Sequence, residues 1–208
     1  MTDIRDLHPS KVIALGLNYR DHAEEFNMEI PAEPILFMKP ASAVIYPGDD
    51  IVYPRHATRV DYEAELGIVI GERARRVPAE RAADVILGYT CINDVTERHM
   101  QGRDGQWTRA KSFDTFCPIG PEVVTGINPD DVAVSSYLNG ERKQQSRTSN
   151  LIFNIAQIIE FVTSIMTLLP GDIIATGTPS GVGPMQPGDE IVIEVEGIGR
   201  LVNRVAAE

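Results

Sequence analysis

Prolines and glycines punctuate this chain at short intervals. The 14 Pro and 17 Gly are spread through all 208 residues and pool in no linker. That pattern argues for one domain built of many short elements. Between the breaks, Lys11–Leu17 reads as a first strand, Asn18–Phe26 as a short polar helix, Asn27–Pro34 as a loop and Ile35–Lys39 as a strand stopped by Pro40. Val60–Gly71 reads as one strand whose second half, Leu66–Ile70, is continuously apolar, as in strands buried on both faces. Pro78–Val85 reads as a helix with proline in its first turn. Ile86–Ile92 reads as a strand ending at Asn93-Asp94, and Asp94–Gln101 as a helix. Val132–Leu138 ahead of Asn139-Gly140 signals a hairpin. Asn150–Met166 carries apolar residues at helical spacing. Ile173–Thr176, the Gly-rich loop Gly177–Gly183, Glu190–Glu196 and Ile198–Val205 complete the chain. Strands outnumber helices and lie in hairpins, so the expected fold class is a β-rich α+β core with a few flanking helices.

The net charge of −11 argues against a nucleic-acid partner. The basic cluster Arg73, Arg75, Arg76 and Arg81 reads as a solvated face. An acidic protein that takes an anionic ligand needs a local cation. The two cysteines form no disulfide framework, the amino terminus lacks the apolar core of a signal peptide, and the apolar runs are too short to span a bilayer. The expected setting is the cytoplasm, with no membrane contact and both thiols reduced.

The sharpest chemical feature is VDYEAELG at Val60–Gly67. On a strand, Glu63 and Glu65 share a face. Two buried adjacent carboxylates repel unless a cation lies between them, and oxygen donors alone suit Mg²⁺, Mn²⁺ or Ca²⁺. The alternative is the solvent face of an edge strand, and the strand alone does not decide. Asp94, at the end of an apolar strand, could supply a third oxygen; it could equally cap a following helix. His22 and Glu25 stand at i, i+3, where a carboxylate can fix the imidazole tautomer and raise the basicity of its other nitrogen, or form an incidental surface pair. Lys111 lies among small and apolar residues in WTRAKSF. It could hold a carboxylate or a developing enolate, or it could be a snorkelling surface lysine. The loop ATGTPSGVG lacks the Walker lysine and the dinucleotide fingerprint. It reads as a source of backbone N–H groups, at Gly177 among them, and of the Thr178 hydroxyl for a substrate carboxylate, or as an ordinary strand-end loop.

In their order along the chain, GLNYRDHAEE, FMKP, DYEAELGIVIG, GYTCINDVTER, WTRAKSFDTFCPIGP, LIFNIAQIIEF, LLPGDIIATGTPSGVGP and PGDEIVIEVEGIGRLVNRV resemble the fumarylacetoacetate hydrolase family, from Lys11 to Val205. The resemblance implies a mixed β-sandwich roll, commonly a homodimer, that acts on a small-molecule 2-oxo acid. It implies Mg²⁺ or Mn²⁺ (Ca²⁺ in a crystal) held by Glu63, Glu65 and Asp94, a His22–Glu25 dyad that orders over the substrate and activates water, and Lys111 as the catalytic lysine. Gln101 and Thr178 look like substrate contacts, and Tyr19, Arg98 and Gly177 are grouped with them. Larger members place a further domain before this core and carry one more metal-proximal aspartate, for which no match stands here. Residues 1–10 are expected as a short extension, and 11–208 as one catalytic domain. The implied activity is C–C bond hydrolysis in an acylpyruvate-type, fumarylpyruvate-like 2,4-dioxo acid. The alternatives are isomerisation of 2-hydroxyhepta-2,4-diene-1,7-dioate, decarboxylation or tautomerisation of a 2-oxo diacid such as oxaloacetate, and non-catalytic metal or ligand binding on the same fold.

Overall fold

The computed structural model describes residues 2–25 and 27–208. Phe26, the last residue of the first expected helix, and Met1 of the expected extension lie outside the described residues. The continuously apolar run forms the strand Ala64–Ile70, every residue of which is buried. It pairs antiparallel with Ile86–Asn93 on one side and with Ile173–Ala175 on the other. This central position explains why the run does not alternate between apolar and polar residues. The sheet continues through Val12–Gly16 to the edge strand Ile35–Lys39, and in the other direction through Cys117–Val124 to Thr2–Asp3. Ile4 and Leu7, next to that edge, are buried.

A second sheet runs in the order Glu141–Arg147, Ala133–Leu138, Glu190–Val195, Gly199–Ala207, Asp50–Tyr53. Its Ile191, Ile193 and Val195 pack in one core with Leu66, Ile68 and Ile70 of the first sheet, giving the β-rich core that the strand pattern predicts and the β-sandwich that the family resemblance implies. Asn139 and Gly140 turn the hairpin with φ of 51° and 81°, the left-handed pair that a two-residue connection needs. A small third sheet runs in the order Gly183–Met185, Val60–Tyr62, Thr96–Glu97.

Four expectations are corrected. Val60–Gly71 is two strands, Val60–Tyr62 and Ala64–Ile70, broken at Glu63, because the Glu63 N–H donates to the Asn93 side chain at 3.0 Å rather than to a ladder partner. Asp94–Gln101 is not one helix. Thr96–Glu97 is a strand and the helix is Arg98–Asp104, with Glu97 as its cap accepting from the Met100 N–H. The helix expected over Asn150–Met166 spans Ile155–Ile165 and is opened by a capping box between Asn154 and Gln157. Ile152 and Phe153, ahead of Asn154, are drawn to Asn18, whose backbone carbonyl and side-chain oxygen accept their N–H groups. The segment expected as a helix over Pro78–Val85 is a 3-10 helix, Ala79–Val85. Strands at Asp50–Tyr53 and Cys117–Val124 have no counterpart in the expected element order.

Candidate active site

The break at Glu63 builds the site. With the ladder interrupted, the Glu63 carbonyl accepts the Asp94 N–H at 2.9 Å, which locks the end of Ile86–Asn93 against the two-strand junction. Asp94 therefore serves no helix. Glu63, Glu65 and Asp94 each present a carboxylate oxygen within 4.8 Å of the other two, and all three side chains are buried. They converge from the junction of two strands at Glu63, the strand Ala64–Ile70 and the end of Ile86–Asn93.

Cations surround this cluster. The Lys111 ammonium donates to Glu63 Oε2 at 2.8 Å and to Asp94 Oδ2 at 2.6 Å, and its side chain is 2% exposed. This excludes the snorkelling alternative. Lys39 Nζ donates to the other Asp94 oxygen and to the Val95 carbonyl. Arg98 donates from all three guanidinium nitrogens: to Asp61 at 2.9 Å, to Glu63 at 2.7 Å and to Gln101 at 2.6 Å. Burial opposes ionisation of Glu63, but the Lys111 and Arg98 charges outweigh it and hold its carboxyl down at about 2. Glu65 goes the other way. Burial, reinforced by the Asp94 and Glu63 charges, pushes its carboxyl well above the usual carboxylate range, and the Gly177 N–H at 2.7 Å is its short-range support. Glu65 is thus the carboxyl of the cluster whose charged form its surroundings oppose. The oxygen-only donor set and this strained charge balance fit a hard divalent cation, for which Glu63, Glu65 and Asp94 would be the protein ligands.

A cavity of about 520 Å³ opens over the cluster. His22, Glu63, Arg98, Gln101, Lys111 and Thr178 all line it. Tyr19, Glu25, Glu65, Asp94 and Gly177 are not among its lining residues. His22 is on the helix Arg20–Glu25, with Nδ1 3.5 Å from Glu25 Oε2. Burial lowers the imidazole pKa despite the Glu63 and Glu25 charges nearby, so the ring is a neutral base at pH 7. The same Glu25 oxygen accepts the Gly181 N–H at 3.2 Å, which ties this helix to the Gly-rich loop. That loop already uses the groups expected to meet a substrate: Gly177 N–H points at Glu65, and the Thr178 hydroxyl donates to the Ala64 carbonyl while accepting from Gln144. The Tyr19 hydroxyl is fully buried with no hydrogen-bond partner among the described residues.

Lys39, Asp61 and Gln144 belong to the site and are not among the residues singled out from the sequence. Lys39 was open to the reasoning applied to Lys111, a lysine closing an apolar strand. Asp61 stands at i−2 from Glu63. Gln144 lies in the polar strand Glu141–Arg147 and gives no local signal; its side chain is fixed by the Ala64 N–H, Thr178 and the Pro179 carbonyl.

One wall of the cavity is apolar. Trp107 packs edge-on against Phe37 with ring centroids 5.3 Å apart, and the Phe37 ring in turn faces Lys111 Nζ at 5.0 Å. Gly16 leaves the room: a Cβ there would stand 2.4 Å from the Trp107 ring. Gly16→Val is expected to displace Trp107, shift the emission of this single tryptophan and cost about 1–3 kcal/mol by overpacking. Unchanged fluorescence and stability in that variant would remove Trp107 from this wall.

No helix among the described residues is long and apolar enough to cross a membrane. A family model described as fumarylacetoacetate (FAA) hydrolase C-terminal matches residues 11–206. A crystal structure of 5-carboxymethyl-2-hydroxymuconate delta-isomerase from Mycobacterium smegmatis is 51% identical, with a TM-score of 0.92 over 97% of this chain and 80% of its own. A 2,4-didehydro-3-deoxy-L-rhamnonate hydrolase of Sphingomonas sp. is 43% identical over 94% of this chain and 73% of its own. The mitochondrial oxaloacetate tautomerase FAHD2B of Bos taurus is 42% identical over 95% and 67%. With a strand-rich sandwich, a buried acidic trio under an open cavity and a family match over nearly its whole length, the chain belongs to the fumarylacetoacetate hydrolase family.

Proposed function

We propose that the protein is a Mg²⁺- or Mn²⁺-dependent hydrolase that cleaves a C–C bond in an acylpyruvate-type 2,4-dioxo acid. The observation that carries this reading is the joint presence, on one cavity, of a neutral His22 beside Glu25 and a buried Lys111 beside the acidic trio. Glu63, Glu65 and Asp94 would hold the ion. When bound, it supplies positive charge to the 2-oxo acid end of the substrate, drawing electron density away from the bond to be broken.

The chain's own groups do the rest. With Nδ1 turned to Glu25, the basic nitrogen of His22 is Nε2, which takes a proton from water as the hydroxide adds to the distal carbonyl carbon. The bond between that carbon and C3 then breaks; its electron pair stays on C3 and spreads onto the C2 oxygen as the pyruvate enolate. Lys111 lies where that negative charge develops and is charged at neutral pH, because Asp94 and Glu63 offset the burial that opposes its protonation. Donors preorganised for charge that appears only in the transition state are the productive kind. Protonation at C3 gives pyruvate, and the acyl half leaves as a carboxylic acid. The apolar wall of Phe37 and Trp107 limits water around the reacting carbons.

A second reading, tautomerisation or isomerisation of a 2-oxo acid, is favoured by one observation: Glu25 sits nearer the Gly181 N–H than His22. Enolate formation at Lys111 needs no activated water. Acetylpyruvate with Mg²⁺ should release pyruvate, and His22→Gln should lower that rate by roughly 10²–10⁴ while leaving enolisation, followed as solvent-deuterium exchange at C3, largely intact. Enolisation by the wild type with no pyruvate release would replace the hydrolase reading with the second.

A further inference from the structure

We infer that Ser146, acting through Asp21, is a positioning residue for His22: it sets the helix Arg20–Glu25 so that the imidazole faces the acidic trio. The inference deepens the hydrolase reading, in which His22 is the base, and rests on it.

The argument starts from burial in the second sheet. Ile191, Ile193 and Val195 fill the inner face of one strand with hydrocarbon. The edge strand Glu141–Arg147 differs. Its buried positions are Gln144 and Ser146, 1% and 7% exposed. A polar side chain turned into a core costs free energy unless it finds partners there, so the partners show what the strand holds. Gln144 holds the Gly-rich loop, by Thr178 and the Pro179 carbonyl. Ser146 holds another element of the site. Its hydroxyl donates to Asp21 Oδ2, one residue before His22. Asn150 Nδ2 donates to the Ser146 oxygen at 3.0 Å, which occupies an acceptor position and leaves the hydroxyl proton for the carboxylate. The other Asp21 oxygen is buried with no partner among the described residues, so the Ser146 bond orients that carboxylate.

The helix needs such an anchor. It has six residues, and a helix that short has little stability of its own. Ala23 is its buried residue. At its far end, Glu25 accepts the Gly181 N–H. Ser146 thus ties the first turn and the loop ties the last, with His22 between the two. Ser146 is not among the residues lining the cavity, so its route to the reaction runs through the helix.

The test uses acetylpyruvate with Mg²⁺. Ser146→Ala should lower kcat for pyruvate release by about 10–100-fold, the scale of a small misplacement of a catalytic group. KM and solvent-deuterium exchange at C3 should stay as in wild type. In a His22→Gln background, Ser146→Ala should have no further effect, because both changes act through one group. Ser146→Thr keeps the hydroxyl and should restore part of the rate. Nitrogen NMR shifts of the His22 imidazole, assigned by their loss in His22→Gln, follow the ring without turnover, and Ser146→Ala should move them. Equal losses of release and exchange, the same loss in the His22→Gln background, or His22 shifts that ignore Ser146→Ala would overturn the positioning role and leave the hydrolase reading standing. If wild type releases no pyruvate while the His22 shifts respond to Ser146→Ala, the hydrolase reading fails and Ser146 still positions the ring. Neither pyruvate release nor a shift response would overturn both.

Discussion

Glu65→Gln should reduce metal-dependent turnover by roughly a thousandfold, the scale seen when charge stabilisation at a reacting centre is lost, and should leave the metal-free fold as stable as wild type. The two halves of that result come from one fact. Burial and the neighbouring Asp94 and Glu63 charges already push the Glu65 carboxyl toward its protonated form, so a neutral amide of the same shape costs the apo-protein little. What it removes is the charge that would meet a divalent cation. Asp94→Ala should behave differently. Asp94 is the partner of both Lys39 and Lys111, and its removal leaves two buried ammonium groups short of a counter-charge. Losing one partner of a buried pair costs about 3–5 kcal/mol. Chemical denaturation of both variants without metal, beside turnover with Mg²⁺, checks the pair. Equal destabilisation by the two substitutions would contradict this description of the charges.

Lys111→Met should lower kcat by about 10²–10³, as when one preorganised donor to a developing oxyanion is removed, without weakening metal binding. Lys111 lies against Glu63 and Asp94, so its loss withdraws a positive charge from the ligands and does not disfavour a cation there. A lysine that merely scaffolds the carboxylates would give the reverse, weaker metal binding with kcat restored at saturating Mg²⁺. Calorimetric Mn²⁺ affinity measured beside kcat separates the two.

The sheet core was legible because its signals are local. The Leu66–Ile70 run, the Ile35–Lys39 strand and the Asn139-Gly140 turn each carry their structure in a few consecutive residues. Cys117–Val124 was not, since Pro118, Gly120 and Pro121 read as loop, and only pairing with Ile86–Asn93, Val44–Ile45 and Thr2–Asp3 makes the segment a strand. At the site, strand alternation put Glu63 and Glu65 side by side, and the structure brings them together through a broken strand instead. The helix Arg98–Asp104 starts later than its sequence suggests, because Asp94 is by type the better cap and Glu97 is the one used. The Asp94 N–H bond to the Glu63 carbonyl, between residues 31 positions apart, decides the matter. Lys39 lies 55 positions from Asp94, and no local pattern announces such a pair.

The central claim is that one cation is held by three carboxylates beneath the cavity. Crystals soaked in Mn²⁺ and measured at the manganese absorption edge test it most directly. The account predicts a single anomalous peak bonded to oxygens of Glu63, Glu65 and Asp94, absent in Glu65→Gln. A peak elsewhere on the chain, or a cluster that stays closed around Lys111 at saturating Mn²⁺, would contradict it.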